Sequence, residues 1–276
     1  MLTRLVGGTF HWVGWLGWVL LAGCALFPQQ HADTLAGQSG LQRRILSAGI
    51  FQLTAYVRVA DPTRPLHIYI EGDGRAWRTS TEASSDPTPR HMTGLQLAAA
   101  DPGPNVAYLA RPCQFTRADP SCDVRYWTGR RYAPEVVTSL NDAITTLEAA
   151  TARQPVDLVG YSGGGALAVL VAARRHDVHS LRTVAANLDV EAVNTLHHVS
   201  AMPESLNPID FGTAVRTIPQ IHFNGARDTV VPPDIARRFG EAVGGSCTLI
   251  QSVAGMTHDG DWARLWPGLL QQIPHC

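Results

Sequence analysis

No lysine occurs anywhere in the 276 residues; the 22 residues counted as lysine or arginine are all arginine. That absence excludes Ser-Lys dyads, Schiff-base chemistry and the lysine-bearing phosphate loop. Charge of either sign is scarce, at 16% of residues, and the formal net charge is −1. Such a balance gives no electrostatic case for nucleic acid as a partner. Internal repeats and low-complexity runs are lacking. Cysteine is limited to five residues. Cys113 and Cys122 are too far apart for a close zinc-type pair, and no histidine pair completes a ligand set, so neither a metal nor a cofactor is expected.

What the chain does have is concentrated in a few loops. Gly160-Tyr161-Ser162-Gly163-Gly164 lies directly behind the apolar run Val156-Asp157-Leu158-Val159 and directly ahead of an alanine-rich stretch. G-x-S-x-G between a strand and a helix is the pattern of a nucleophile elbow. The turn is so tight that side chains two residues before and after the serine would collide in it, and glycine removes them. On this reading Ser162 is the nucleophile; the bland alternative is a glycine-rich turn with an incidental serine.

A nucleophilic serine needs a base, an acid that orients the base, and donors for the developing oxyanion. Asp228 follows the apolar run Ile218–Asn224, where a carboxylate off a strand end can accept from histidine Nδ1. An ordinary turn or helix-cap role competes for it. His258 follows the next run, Cys247–Val253, in a loop with glycines at 255 and 260. Asp259 and Asp261 are rival carboxylates, but sequence neighbours reach Nδ1 poorly, and Asp228 is preferred. Asp189, one strand earlier, is the other candidate acid. Glu71-Gly72-Asp73-Gly74 follows the alternating strand Leu66–Ile70, and its backbone, with that of Gly163, would supply the oxyanion donors, Asp73 N–H first among them.

The segments YIEGDG, ARPCQF, GYSGGG, NLD, GARDTVVP and THDG, spread over residues 45 to 276, resemble a subgroup of bacterial α/β-hydrolases, many of them lipoproteins of unassigned substrate. The resemblance implies a triad of Ser162, Asp228 and His258, in the chain order of that superfamily; it implies nothing about substrate.

Strands are predicted at about 51–60, 66–71, 105–110, 155–161, 181–187, 218–224 and 247–253, and helices near 133–151, 164–175, 233–243 and 261–272. The alternation implies an α/β fold of the α/β-hydrolase type, a mostly parallel sheet with helices on both faces. Residues 189–217, between two strands, are expected to form a small cap over a shallow pocket, with Trp77, Trp127 and Tyr161 as further walls.

Arg4 is the one charge ahead of the apolar stretch Leu5–Ala22, which ends in Leu-Ala-Gly-Cys. This reads as a signal segment, residues 1–23, and resembles a lipobox with Cys24 as the lipidated residue. A spanning anchor is the alternative. Ala25 after the cysteine suggests the outer membrane by resemblance to lipoprotein sorting. Residues 24–41 are expected to be a lipidated tether and 42–276 the hydrolase domain. An exported chain permits disulfides. Cys113 and Cys122 share a loop, which favours a bridge between them worth about 2.5–3 kcal/mol in the chain-entropy model, and leaves Cys247 for Cys276.

The expected activity is hydrolysis of a carboxylic ester through an acyl-enzyme. The partners are then a small or lipid-like ester and, through the lipid, a membrane. A thioesterase, amidase or peptidase would use the same triad, and a catalytically idle envelope-binding lipoprotein would keep the fold alone.

Overall fold

A computed structural model describes residues 28–276. Eight strands form one sheet: β1 (Gln42–Ala48), β2 (Phe51–Val59), β3 (Leu66–Ile70), β4 (Asn105–Leu109), β5 (Val156–Tyr161), β6 (Val178–Val184), β7 (Gln220–Gly225) and β8 (Thr248–Val253). Their order is β1-β2-β4-β3-β5-β6-β7-β8. The β1–β2 and β2–β4 pairs are antiparallel, and every pair from β4 to β8 is parallel. The described helices are α1 (Pro28–Gln38), α2 (Thr93–Ala100), α3 (Pro134–Glu148), α4 (Gly163–Ala172), α5 (Val190–Leu196), α6 (Pro233–Val243) and α7 (Trp262–Leu270).

The period-2 pattern of the central strands divides the core into two layers. On β3, Leu66, Ile68 and Ile70 join Val136, Leu140, Leu167 and Phe239 from α3, α4 and α6. Tyr69 faces the other way, with Ala32, Leu95, Trp262 and Trp266 from α1, α2 and α7. Both faces are therefore covered, which is why the central strands β3, β4 and β5 are buried almost throughout. This is the α/β-hydrolase fold, as expected.

Several sequence expectations change. Residues 28–38 are not tether but helix α1. Its Ala32 and Ala36 are fully buried, and Asp33 and Gln29 bond the Tyr56 hydroxyl at 2.6 and 2.8 Å, so residues 28–38 belong to the folded unit. Strand β1 was not foreseen, and β6 lies three residues earlier than expected.

Residues 189–217 contribute no residue to the lining of the serine's cavity, although His197 Nε2 meets the carbonyl of its wall residue Val230 at 2.7 Å. Pro208 and Val215 of their 3-10 turn are buried, and the turn packs against α4 and α6. The start of the segment is tied to its middle by Val190 N–H donating to Asn207 Oδ1 at 2.8 Å. Ser205 and Leu206 are stapled to the 129–132 loop. A separate cavity of about 400 Å³ lies within this segment.

Two disulfides are present, Cys113–Cys122 and Cys247–Cys276; the second fastens the C-terminus to the start of β8. Among the described residues no helix is long and apolar enough to cross a membrane. The signal segment and Cys24 lie outside the described residues.

Candidate functional site

The carboxyl ends of β3, β5, β7 and β8 converge on one cavity of about 480 Å³. Its lining includes Gly72, Asp73, Trp77, Tyr161, Ser162, Val230 and His258. The size falls in the range of small-molecule sites.

Ser162 follows β5 immediately and has φ 50°, ψ −121°, a strained backbone for a residue with a side chain. The strain is held from both sides: Ser162 N–H donates to Val184 O at 2.9 Å, and Gly165 N–H returns to Ser162 O at 3.0 Å. A Cβ on Gly160 would strike the backbone of Gly164 and Gly165, and one on Gly164 would strike Ile70 and Glu71. Those two glycines allow the elbow to close under the sheet end.

Ser162 Oγ lies 3.0 Å from His258 Nε2, and His258 Nδ1 lies 2.9 Å from Asp228 Oδ2. The Asp228 side chain is fully buried. Its other oxygen accepts from Val230 and Val231 N–H, both at 2.8 Å. One carboxylate oxygen thus fixes its own loop while the other meets the ring. The His258 carbonyl is gripped by Trp262 Nε1 at 3.0 Å and the Tyr161 hydroxyl at 3.3 Å. Asp259 binds that same hydroxyl at 3.1 Å and Asp261 caps α7, so neither rival carboxylate meets the ring. Asp189 is also elsewhere: it caps α5 and pairs with Arg238 at 2.9 Å.

The Glu71–Gly74 loop has four separate tasks. Glu71 is buried and accepts from the N–H groups of Gly72, Gly94 and Leu95, which caps α2 from outside the helix. Burial pushes its carboxyl above the ordinary value, against the lowering effect of those N–H bonds. Gly72 lies against the elbow: an added Cβ would sit 3.1 Å from the Tyr161 ring and 3.3 Å from Ser162 Cβ. Asp73 aims its carboxylate at Arg111, with which it is ion-paired and hydrogen-bonded. Arg131 stands 3.4 Å away, and the Tyr132 hydroxyl donates at 3.2 Å. Burial alone would raise the Asp73 carboxyl, but the Arg131 and Arg111 guanidinium groups hold it below its ordinary value. Gly74, at φ +64°, turns the chain away.

The Asp73 carboxylate also crowds Gly163, where any side chain would collide with it. A lone carboxylate there would repel a developing oxyanion; two arginines reverse the local sign. Asp73 N–H and Gly163 N–H donate to no acceptor among the described residues.

Sequence reasoning missed Arg111, Gln114, Arg131 and Tyr132. Gln114 accepts from Arg111 N–H at 3.1 Å and donates to Gly72 O at 2.9 Å, linking the two loops. The Ala-Arg-Pro-Cys-Gln-Phe segment was the one available signal for the first two. Of the expected walls, Trp77 and Tyr161 line the cavity, whereas Trp127 is buried and donates to Ser84 O, supporting the loop beneath Trp77.

Solved structures share the fold at low identity. Est1E from Butyrivibrio proteoclasticus is 16% identical with a TM-score of 0.58, covering 83% of this chain and 98% of that one. An α/β serine hydrolase homologue from Coxiella burnetii is 17% identical, TM-score 0.56, covering 83% and 93%. An α/β serine hydrolase without lid from Xanthomonas campestris is 14% identical, TM-score 0.55, covering 86% and 96%. Comparison with curated proteins finds no sequence match. The profile of the serine hydrolase (FSH1) family matches residues 109–255, a span that holds Ser162 and Asp228 and stops just short of His258. That match covers more than half of the chain, and the protein belongs to the serine hydrolase (FSH1) family of α/β-hydrolases.

Proposed function

We propose that the protein hydrolyses carboxylic esters, with Ser162 as nucleophile, His258 as base and then acid, and Asp228 as the group that orients His258. The unbroken Ser162–His258–Asp228 relay, at 3.0 and 2.9 Å, carries the reading. Ser162 Oγ attacks the ester carbonyl as its proton passes to His258 Nε2. The tetrahedral intermediate collapses when His258 returns that proton to the leaving alcohol. Water then repeats the sequence on the acyl-enzyme and releases the acid.

Gly72 N–H is already engaged by Glu71. That supports Asp73 N–H and Gly163 N–H as the oxyanion donors, with Arg111 and Arg131 offsetting the Asp73 charge. An ester asks least of this site, because an alkoxide leaves the tetrahedral intermediate more readily than an amine does. A fluorophosphonate probe tests the reading. Mass spectrometry is expected to find the adduct on Ser162 and none after Ser162→Ala. Full labelling or hydrolysis by Ser162→Ala would overturn it.

The same reading includes export and lipidation at Cys24. The lipobox-like Leu21-Ala22-Gly23-Cys24 and the two disulfides, which suit an oxidising compartment, support it. With α1 starting at Pro28, the chain from Cys24 reaches at most about 14 Å, which would hold the hydrolase close to the outer membrane. An unmodified Cys24 in the mature protein would contradict this.

A further inference from the structure

Two cations at the mouth of the serine's cavity have no partner among the described residues. Arg75 and Arg90 both line it. Among the described residues neither forms an ion pair, unlike the neighbouring Arg78, which is held by Glu82 at 2.9 Å. Among the described residues neither guanidinium donates a hydrogen bond. Arg90 is exposed and Arg75 half-buried, and exposed His91 lies beside Arg90 on the same rim.

The carboxylates of this lining are already committed. Glu71 is buried against three N–H groups, Asp73 is paired with Arg111 and Arg131, and Asp259 accepts from the Tyr161 hydroxyl. The lining's charges without an ion-pair or hydrogen-bond partner among the described residues are therefore the cations Arg75 and Arg90. Two such guanidinium groups on a rim open to solvent draw anions toward Ser162.

We propose that the physiological ester carries an anionic group, a carboxylate or phosphate, near its scissile bond, and that Arg75 and Arg90 bind it. Guanidinium groups suit this task because they present paired donors to two oxygens of one anion. Apolar contact with Trp77 and Val230, which line the same cavity, accommodates the rest of the molecule. The inference rests on Ser162 being the nucleophile and adds a substrate class to it.

Two ester pairs test the proposal and separate acyl from alcohol side. Mono-para-nitrophenyl glutarate is compared with para-nitrophenyl pentanoate, and para-butyryloxybenzoate with phenyl butyrate. Each kcat/KM is divided by that ester's own hydroxide rate. At low ionic strength the wild type is expected to favour the anionic member of at least one pair by about tenfold, the scale of one charge-assisted hydrogen bond. That preference shrinks as salt is added. It disappears in Arg75→Gln/Arg90→Gln and persists in Arg43→Gln/Arg44→Gln, which removes equal charge from the edge strand β1.

Equal turnover within both pairs would overturn the anionic class while leaving the serine hydrolase reading intact. So would a preference that survives the double variant, provided that its melting temperature matches wild type. Failure of all four esters together with an unlabelled Ser162 would overturn both readings.

Discussion

Two histidine–aspartate pairs sit at opposite ends of one sheet, and only one of the two rings has a hydroxyl on its far nitrogen. At the carboxyl ends, His258 has Asp228 on Nδ1 and Ser162 Oγ on Nε2. At the amino ends, His67 has Asp101 on Nδ1 at 2.7 Å and Asp157 at 3.6 Å from Nε2. Asp101 also accepts from the Tyr69 hydroxyl at 2.5 Å, which in turn accepts from Trp266 Nε1 at 2.8 Å. Burial acts to lower the His67 pKa, but the bond to Asp101 and the charges of Asp101 and Asp157 raise it above the ordinary value. A ring between two carboxylates holds its proton and so serves as structure. A ring with one carboxylate and one hydroxyl can exchange its proton, which a base must do.

The largest effect that would break this contrast lies on the acid. Asp228→Asn is expected to cut kcat by about three to four orders of magnitude, because it favours the wrong histidine tautomer. Asp189→Asn keeps the cap of α5 and is expected to stay close to wild type in steady-state kinetics. The reverse ranking would move the orienting acid one strand earlier.

The next effect concerns the charge behind the proposed oxyanion site. Arg111→Gln leaves the Asp73 carboxylate under-neutralised beside Gly163, and kcat is expected to fall roughly a hundredfold, comparable to loss of one oxyanion donor. Arg111→Gln/Asp73→Asn removes the repelling charge and is expected to recover part of that loss. A double variant slower than the single one would show that Arg111 acts through packing alone.

Smaller still is the pH response of the amino-end pair, read from melting temperature. The raised His67 pKa means that folding favours its charged form. Its contribution is complete below the ordinary histidine value and is lost as pH rises through the folded value. Asp101, lowered by the His67 bond and charge in spite of its burial, contributes above the ordinary carboxylate value and loses that contribution in acid. Stability is therefore expected to decline from mildly acidic pH toward alkaline pH, and His67→Asn to flatten that decline. An unchanged slope in the variant would refute the assignment.

The legibility of these two regions in the sequence differed for a physical reason. The elbow, the acid loop and the base loop each consist of a strand, a short glycine-bearing turn and a helix, so local pattern exposes them. The amino-end pair joins residues 34 positions apart, and no short-range spacing marks it. Arg111, Arg131 and Tyr132 were hidden likewise, since their task exists only once β4 brings their loops beside Asp73. Helix α1 buries little more than two alanines, too small a stripe for a helical period to stand out. Strand β1 is exposed along most of its length and lacks the alternation that betrays a strand. Residues 189–217 had the length of a cap, but Pro208 and Val215 turn their second half into the core.

The account is tested most directly by the rate of Ser162 acylation in His258→Asn and His67→Asn, measured with a para-nitrophenyl ester below both melting temperatures. Loss of about three orders of magnitude is expected in His258→Asn, with His67→Asn acylating near the wild-type rate despite its altered stability profile. Equal rates in the two variants, or a larger loss in His67→Asn, would contradict the assignment of catalysis to the carboxyl-end pair.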